Sequence, residues 1–332
     1  MTAAALFFLA KPLVAQVAFE QDSTLDNLRH AAGYAAAPLG QLGAVVRRGT
    51  GAQDVILIPG WGFGAEVFES FMAANATRYR MVAVTLPGFG GTAAPPMPPD
   101  GTSYAAQSWT GAAEEAVARL IKAEGLNRPV VVGHFVVGTQ LALRLALDHP
   151  DLVSGVVIVG GEPVRFTPSR RDTTGKTPAD IAERIRGVDQ YLAPRWFKTV
   201  TKRTWDANNY AAMQYSRDSA TATVLWRQSA GVPVPVMVRY LCEYLATDIE
   251  KDYPSLRVPV MALLPDFTQE ILTDPKQAYA RSFFLDAWTA APRLSDRITT
   301  RVVPGAHLFV MHDRPDAVRN AIDSVASPAR AR

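Results

Sequence analysis

The side chains most able to move protons or hold metals are few: five histidines and one cysteine in 332 residues. An imidazole is the group best suited to proton transfer near neutral pH. His134 sits in Gly133-His134-Phe135-Val136-Val137-Gly138 and His307 in Gly305-Ala306-His307-Leu308-Phe309. His149 lies at a helix end, where a cation suits the helix dipole, and His30 and His312 show no partner pattern. No histidine falls in a metal-binding spacing, and the single Cys242 excludes both a disulfide within the chain and a cysteine-based zinc cage. Gly88-Phe89-Gly90-Gly91 lacks the second half of a dinucleotide fingerprint, and no phosphate-cradling loop is present. No cofactor is therefore expected, and the chemistry must come from side chains and backbone.

Those side chains need a scaffold. Apolar, β-branched runs predict strands at 41–46, 54–58, 81–86, 130–132, 156–159 and 258–264, with helical periods at 112–123, 139–147 and 316–325. Strands apolar on both faces that alternate with helices predict an α/β fold, with a mostly parallel sheet covered on both sides. The block 163–252 breaks the rhythm: it is rich in Trp, Tyr, Arg and Asp and has no buried strand. It reads as a helical lid inserted into a core made of 21–162 and 253–332, with 168–177 a solvated loop at its start. Hydrophobic residues make up 48% and charged residues 20%, which excludes a disordered chain. A net charge of +3 with no dense basic stripe excludes nucleic acid as an expected partner. The apolar run 3–10 (AAALFFLA) is too short to span a membrane, which takes about 20 residues. Its length suits a secretory signal, although no Lys or Arg precedes it. Export to the periplasm or beyond is the expectation for 1–20, with an N-terminal helix on a cytoplasmic protein as the alternative.

Four local patterns occur in order. Ile58-Pro59-Gly60-Trp61-Gly62 ends one strand and Leu86-Pro87-Gly88-Phe89-Gly90-Gly91-Thr92 ends the next. Val131 to Gly138 runs from strand into helix, and Val303-Pro304-Gly305-Ala306-His307-Leu308-Phe309 leads to Asp313-Arg314-Pro315. Together they resemble the α/β-hydrolase superfamily, in its esterase-like branch with a helical lid, over 42–325. The resemblance implies a nucleophile in a sharp Gly-x-Ser-x-Gly turn, a histidine and an acid, with backbone N–H groups of Trp61 or Gly62 and of Val136 as oxyanion donors.

The chain departs from that pattern at the chemistry. Phe135 stands at the nucleophile position and has no lone pair to attack with, while Val137 replaces a small residue behind it. Family spacing back from Asp313 and Pro315 puts Leu308 at the histidine position, one residue after His307. A slip of one residue in that loop would return His307 to the site as base. The acid is either Asp266, in the loop after the last predicted strand, or Glu162, just after 156–159. Ser–His acyl transfer needs a hydroxyl beside an oriented imidazole, so the standard mechanism is not expected. The expected function is binding or conversion of a small apolar molecule by a non-standard mechanism, with Trp196, Trp205, Tyr210 and Trp226 from the insertion, and Leu308, lining an apolar pocket. The alternative is an ester-type hydrolase in which His307 activates water and Asp266 or Glu162 orients it. A non-hydrolytic reaction rests on fold-level analogy alone. An interaction protein comes last, for want of an apolar surface run.

Overall fold

A computed structural model describes residues 36–163, 178–207 and 209–326; the apolar run 3–10 and the loop 168–177 lie outside them. Seven strands among the described residues form one sheet: β1 (Val45–Arg48), β2 (Gln53–Ile58), β3 (Tyr79–Val84), β4 (Val130–His134), β5 (Gly155–Val159), β6 (Val260–Pro265) and β7 (Ile298–Val303). Their order is β1-β3-β2-β4-β5-β6-β7. β1 runs antiparallel to β3 and every other pairing is parallel. The central strands are continuous apolar runs because both faces are covered. Val130, Val131, Val132, Val156 and Val157 are at most 1% exposed, and each such side chain contributes roughly 1.5–3 kcal/mol by burial.

The two edges explain where the sequence pattern misleads. The first predicted strand, 41–46, shifts to Val45–Arg48 with three of its four residues exposed. β7 was not expected at all. Its Thr299, Thr300, Arg301 and Val302 are exposed and only its ends are buried, so it carries no hydrophobic run. A polar edge strand of this kind resists pairing with another chain.

Helices α1 (Glu69–Ala74), α2 (Ser108–Ala123) and α3 (Val137–Asp148) belong to the sheet's first half. Between β5 and β6 come α4 (Pro178–Gly187), α5 (Ala193–Thr199), α6 (Lys202–Asp206), α7 (Ser219–Ala230) and α8 (Val234–Leu245). A second helical excursion, α9 (Gln269–Thr273), α10 (Tyr279–Phe284) and α11 (Ala291–Leu294), separates β6 from β7. Then α12 (Val310–Asp313) leads to α13 (Pro315–Ala326), which packs on β4, β5 and β6. Among the described residues no helix is long and apolar enough to cross a membrane.

α8 is buried along its whole length, charged residues included. Its Tyr240 hydroxyl donates to the Pro87 carbonyl at 3.0 Å. Glu243, fully buried, accepts from the backbone N–H groups of Trp109 (3.1 Å) and Thr110 (2.8 Å) at the start of α2. A carboxylate suits that end of a helix. Arg239, one turn earlier, completes the pair at 2.6 Å and lies 4.3 Å above the Tyr104 ring. The insertion is thus fastened to the core through a buried ion pair whose hydrogen-bonding capacity is largely used.

Candidate functional site

The turn from β4 into α3 is built under strain. Phe135 has φ 38° and Val136 φ 55°, with ψ −105° at Val136. Neither residue favours this region, the β-branched Val136 least of all, and such positions cost of order 1–3 kcal/mol each. Close packing around the turn holds it there. A Cβ at Gly138 would lie 2.6 Å from the Pro59 carbonyl oxygen, and one at Gly133 would lie 2.5 Å from that of Gly138. The tight backbone approach is therefore made by Gly133 and Gly138, which leaves Val137 free to bury its side chain completely. The strained dihedrals fall on Phe135 and Val136, just before Val137.

Phe135 is 2% exposed. Its ring centroid lies 6.4 Å from Tyr215, 5.9 Å from Phe284 and 5.8 Å from His134. These contacts belong to one aromatic layer between the strand ends and the two helical excursions. On one side it continues through Phe63 and Phe309, 4.8 Å apart, and Tyr215 to Phe309 at 5.3 Å. Beyond them Trp226 lies 6.5 Å from both Tyr215 and Trp205, and Trp205 meets Trp61 edge-on at 5.2 Å. On the other side Phe284 meets Phe267 at 6.0 Å, and Phe267 meets His307 at 5.7 Å. Trp205 and Trp226 thus join this layer, and Trp196 is buried in α5. The side chain of Tyr210 lies outside the described residues. Phe284 was missed by the sequence reading, because it comes from the second excursion.

The expected oxyanion donors are close to other groups. The Trp61 N–H donates to the Phe135 carbonyl at 3.3 Å, and the Trp61 indole N–H donates to the Met237 carbonyl at 2.8 Å. Gly62 sits at φ 88°, and a Cβ there would lie 2.8 Å from Met237 Cε and 3.2 Å from Ser229 Cβ. Val136 caps α3 directly behind Phe135. The insertion therefore packs onto this corner through Met237 and Ser229, neither of which carries a sequence signal for such a role.

His307 is 3% exposed, and neither ring nitrogen makes a hydrogen bond. Burial lowers its proton affinity, and the Asp313 carboxylate, with the backbone of Ser216 and Met213, only partly offsets this. Asp313 is committed elsewhere: it accepts from the Ser216 hydroxyl at 2.6 Å and from the His307 backbone N–H at 2.8 Å. A serine, a histidine and an aspartate thus share one corner, but the carboxylate bonds the hydroxyl and a backbone amide, and the imidazole is not oriented by it. Leu308 is fully buried, with its N–H on the Gln214 carbonyl at 2.9 Å and its own carbonyl beneath Gly160.

Asp266 does not reach the imidazole by any hydrogen bond. It is exposed and accepts from the Gly305 N–H at 3.3 Å. Glu162 is 7% exposed and accepts from the Tyr244 hydroxyl at 2.6 Å. Burial pushes Glu162 up to about 7, against the hydrogen bond from Tyr244 and the charge of Arg184. His134 is fully buried among Phe63, Phe135 and Phe309, and burial holds it down to about 3, so its ring is a neutral part of the packing. Among the described residues no cluster of His, Cys, Asp or Glu could hold a metal ion.

A mostly parallel sheet whose fourth strand ends in a strained turn into a helix, with helical excursions over the strand ends, defines a class of fold. The chain belongs to the alpha/beta hydrolase family, whose model matches residues 55–321. It is similar to the pimeloyl-[acyl-carrier protein] methyl ester esterase of Aeromonas hydrophila, 26% identical over 260 residues that span 76% of this chain and 93% of that one. The protein of the same name from Sodalis glossinidius is 27% identical over 221 residues, 65% of this chain and 75% of its own. Other matches are more local: with the Pectobacterium carotovorum protein of that name the chain spans about half, 52%, of the relative's length. Among solved structures the esterase from Exiguobacterium antarcticum superposes with a TM-score of 0.60 at 15% identity, covering 85% of this chain and 95% of that one. The enol-lactonase from Burkholderia xenovorans gives 0.57 at 14%, covering 86% and 96%. At these identities the structural likeness shows the fold alone.

Proposed function

We propose that this α/β-hydrolase family member binds or converts a small apolar or ester-like molecule between the strand ends and the helical insertion acting as a lid, without serine acyl transfer at the β4–α3 turn. One observation carries the reading: the residue at that turn is Phe135, 2% exposed and packed on Tyr215 and Phe284. Acyl transfer there needs a hydroxyl within hydrogen-bond reach of a base, and a phenyl ring supplies neither donor nor acceptor. The rings from Trp205 to Phe267 are buried apart from the partly exposed Trp226, so a ligand's hydrocarbon part would pack on this layer only where the insertion moves off it. The names of the curated relatives support an ester-like group as its polar end.

A second reading is favoured by Glu162. A buried carboxyl near 7 has a proton affinity suited to acid–base work at neutral pH, and in this reading it serves water-mediated ester hydrolysis together with His307. The test is turnover of methyl esters of short and medium-chain acids, with intact-mass analysis after a fluorophosphonate probe. The first reading expects saturable binding of an ester by calorimetry, no adduct on the native chain, and any turnover of the ester to survive in both His307→Ala and Glu162→Gln. Turnover that survives in the native chain and disappears in both His307→Ala and Glu162→Gln moves the assignment to the second reading. A stoichiometric adduct on the native chain overturns the claim that serine chemistry is absent.

A further inference from the structure

Segment 213–217 of the insertion lies along the loop that carries His307. The Leu308 and Phe309 N–H groups donate to the Gln214 and Tyr215 carbonyls, each at 2.9 Å. The Ser216 hydroxyl donates to Asp313 at 2.6 Å, and the Arg217 N–H reaches the same carboxylate at 3.2 Å. Arg217 then lies over the turn before His307: a Cβ at Gly305 would be 2.8 Å from its guanidinium. The His307 ring has the backbone of Ser216 and Met213 near enough to act on its proton affinity, yet outside hydrogen-bond geometry. On the other side Gln214 Nε2 donates to Gln277 Oε1 and, at 3.0 Å, to the Tyr279 hydroxyl.

Most of what holds this segment is hydrogen bonding, which water replaces at little net cost when the contacts open. Of its side chains Tyr215 alone is both apolar and buried, with its ring 5.3 Å from Phe309 and 5.6 Å from Phe63. What the segment helps to bury is poorly suited to it: an imidazole with neither nitrogen hydrogen-bonded. A buried polar group without a partner costs free energy that contact with water returns. Few buried apolar contacts and a buried polar group left unpaired favour opening of the segment ahead of the core.

We propose that 213–217 is a strap, latched by the Ser216–Asp313 hydrogen bond, which opens while the core stays folded, uncovering His307 and drawing Tyr215 out of the aromatic layer. The ring's departure leaves space beside Phe135, Phe63 and Phe309. As a route for a ligand to that layer the opening rests on the ester-binding reading; as a motion of the chain it does not.

Diethyl pyrocarbonate, which acylates unprotonated imidazole, measures the motion in the full chain, with peptide mass mapping giving a rate for each histidine. His149, whose side chain is partly exposed, sets the accessible rate, and His134, fully buried in the core, the rate through global unfolding. His307 should react more slowly than His149 and faster than His134. Urea below the unfolding transition should speed His134 and leave His307 nearly unchanged, because a local opening exposes little new surface. Ser216→Ala should speed His307 by about tenfold or more, the worth of a hydrogen bond to a charged acceptor. Should Ser216→Ala fail to fold, the urea series decides alone. A His307 rate that equals that of His149 in the native chain, follows His134 in urea, or is unchanged in Ser216→Ala overturns the proposal. Ester binding is no part of the readout, so failure of the strap and failure of the binding reading are told apart.

Discussion

Replacing Phe135 by serine is the most direct perturbation, because it restores a hydroxyl to the turn while removing a core side chain. Losing a buried phenyl ring costs about 3–5 kcal/mol, through lost burial and the space left behind. Phe135 should lie near the upper part of that range, since it is 2% exposed and its neighbours Tyr215, Phe284 and His134 are themselves held by other rings. The backbone gives no relief, because serine at φ 38° is also strained. An unfolding entropy of about 2.1 cal/mol/K per residue over 332 residues gives about 0.7 kcal/mol per degree. The melting temperature should therefore fall by about 6–7 °C, and that of Phe135→Ala should fall by a similar amount.

Reactivity should not follow. The His307 ring meets Phe267 rather than the turn in the chain of ring contacts, and the Trp61 N–H already serves the Phe135 carbonyl. Intact-mass analysis of Phe135→Ser with a fluorophosphonate should show no stoichiometric adduct at position 135. Labelling there, absent in Phe135→Ala, would mean that a base and oxyanion donors still converge on the turn, and the reasoning would fail. An unchanged melting temperature would refute the packing argument separately.

The remaining predictions concern the scaffold around this turn. Glu243→Ala leaves Arg239 buried without its partner and uncaps α2, so chemical denaturation should register a loss of about 3–5 kcal/mol. Gly138→Ala places a methyl against the Ile58 and Pro59 carbonyls, which cannot move without disturbing β2; a loss of about 1–3 kcal/mol by the same measurement is expected. Glu162 makes stability depend on pH. Its folded-state value, about 7, lies above the ordinary 4.5, so the fold prefers the protonated form. Its contribution is intact below about pH 4.5 and is lost as the pH rises through about 7, up to about 3 kcal/mol. Glu162→Gln should match the native chain near pH 4.5 and exceed its stability near pH 8; parallel stability curves for the two proteins would contradict the assignment.

The sequence alone determined the central strands, because a strand covered on both faces must be apolar throughout, as 130–132 and 156–159 are. It also determined the family, since turns such as Leu86 to Thr92 keep their glycines for local backbone reasons that need no tertiary information. Phe135 and the excess of aromatics after β5 were equally legible. The edge strand β7 was not, because burying only its two ends leaves no run to detect. Only the tertiary structure decided what Phe135 touches. Phe284 lies 149 positions away in sequence, and no local pattern pairs the two. The same holds for the acid candidates. Asp266 and Glu162 both follow a parallel strand, so sequence treats them alike, yet one is exposed on a loop amide and the other is buried beneath Tyr244. Proton affinity follows desolvation, and desolvation is set by what the rest of the chain places on top of a residue.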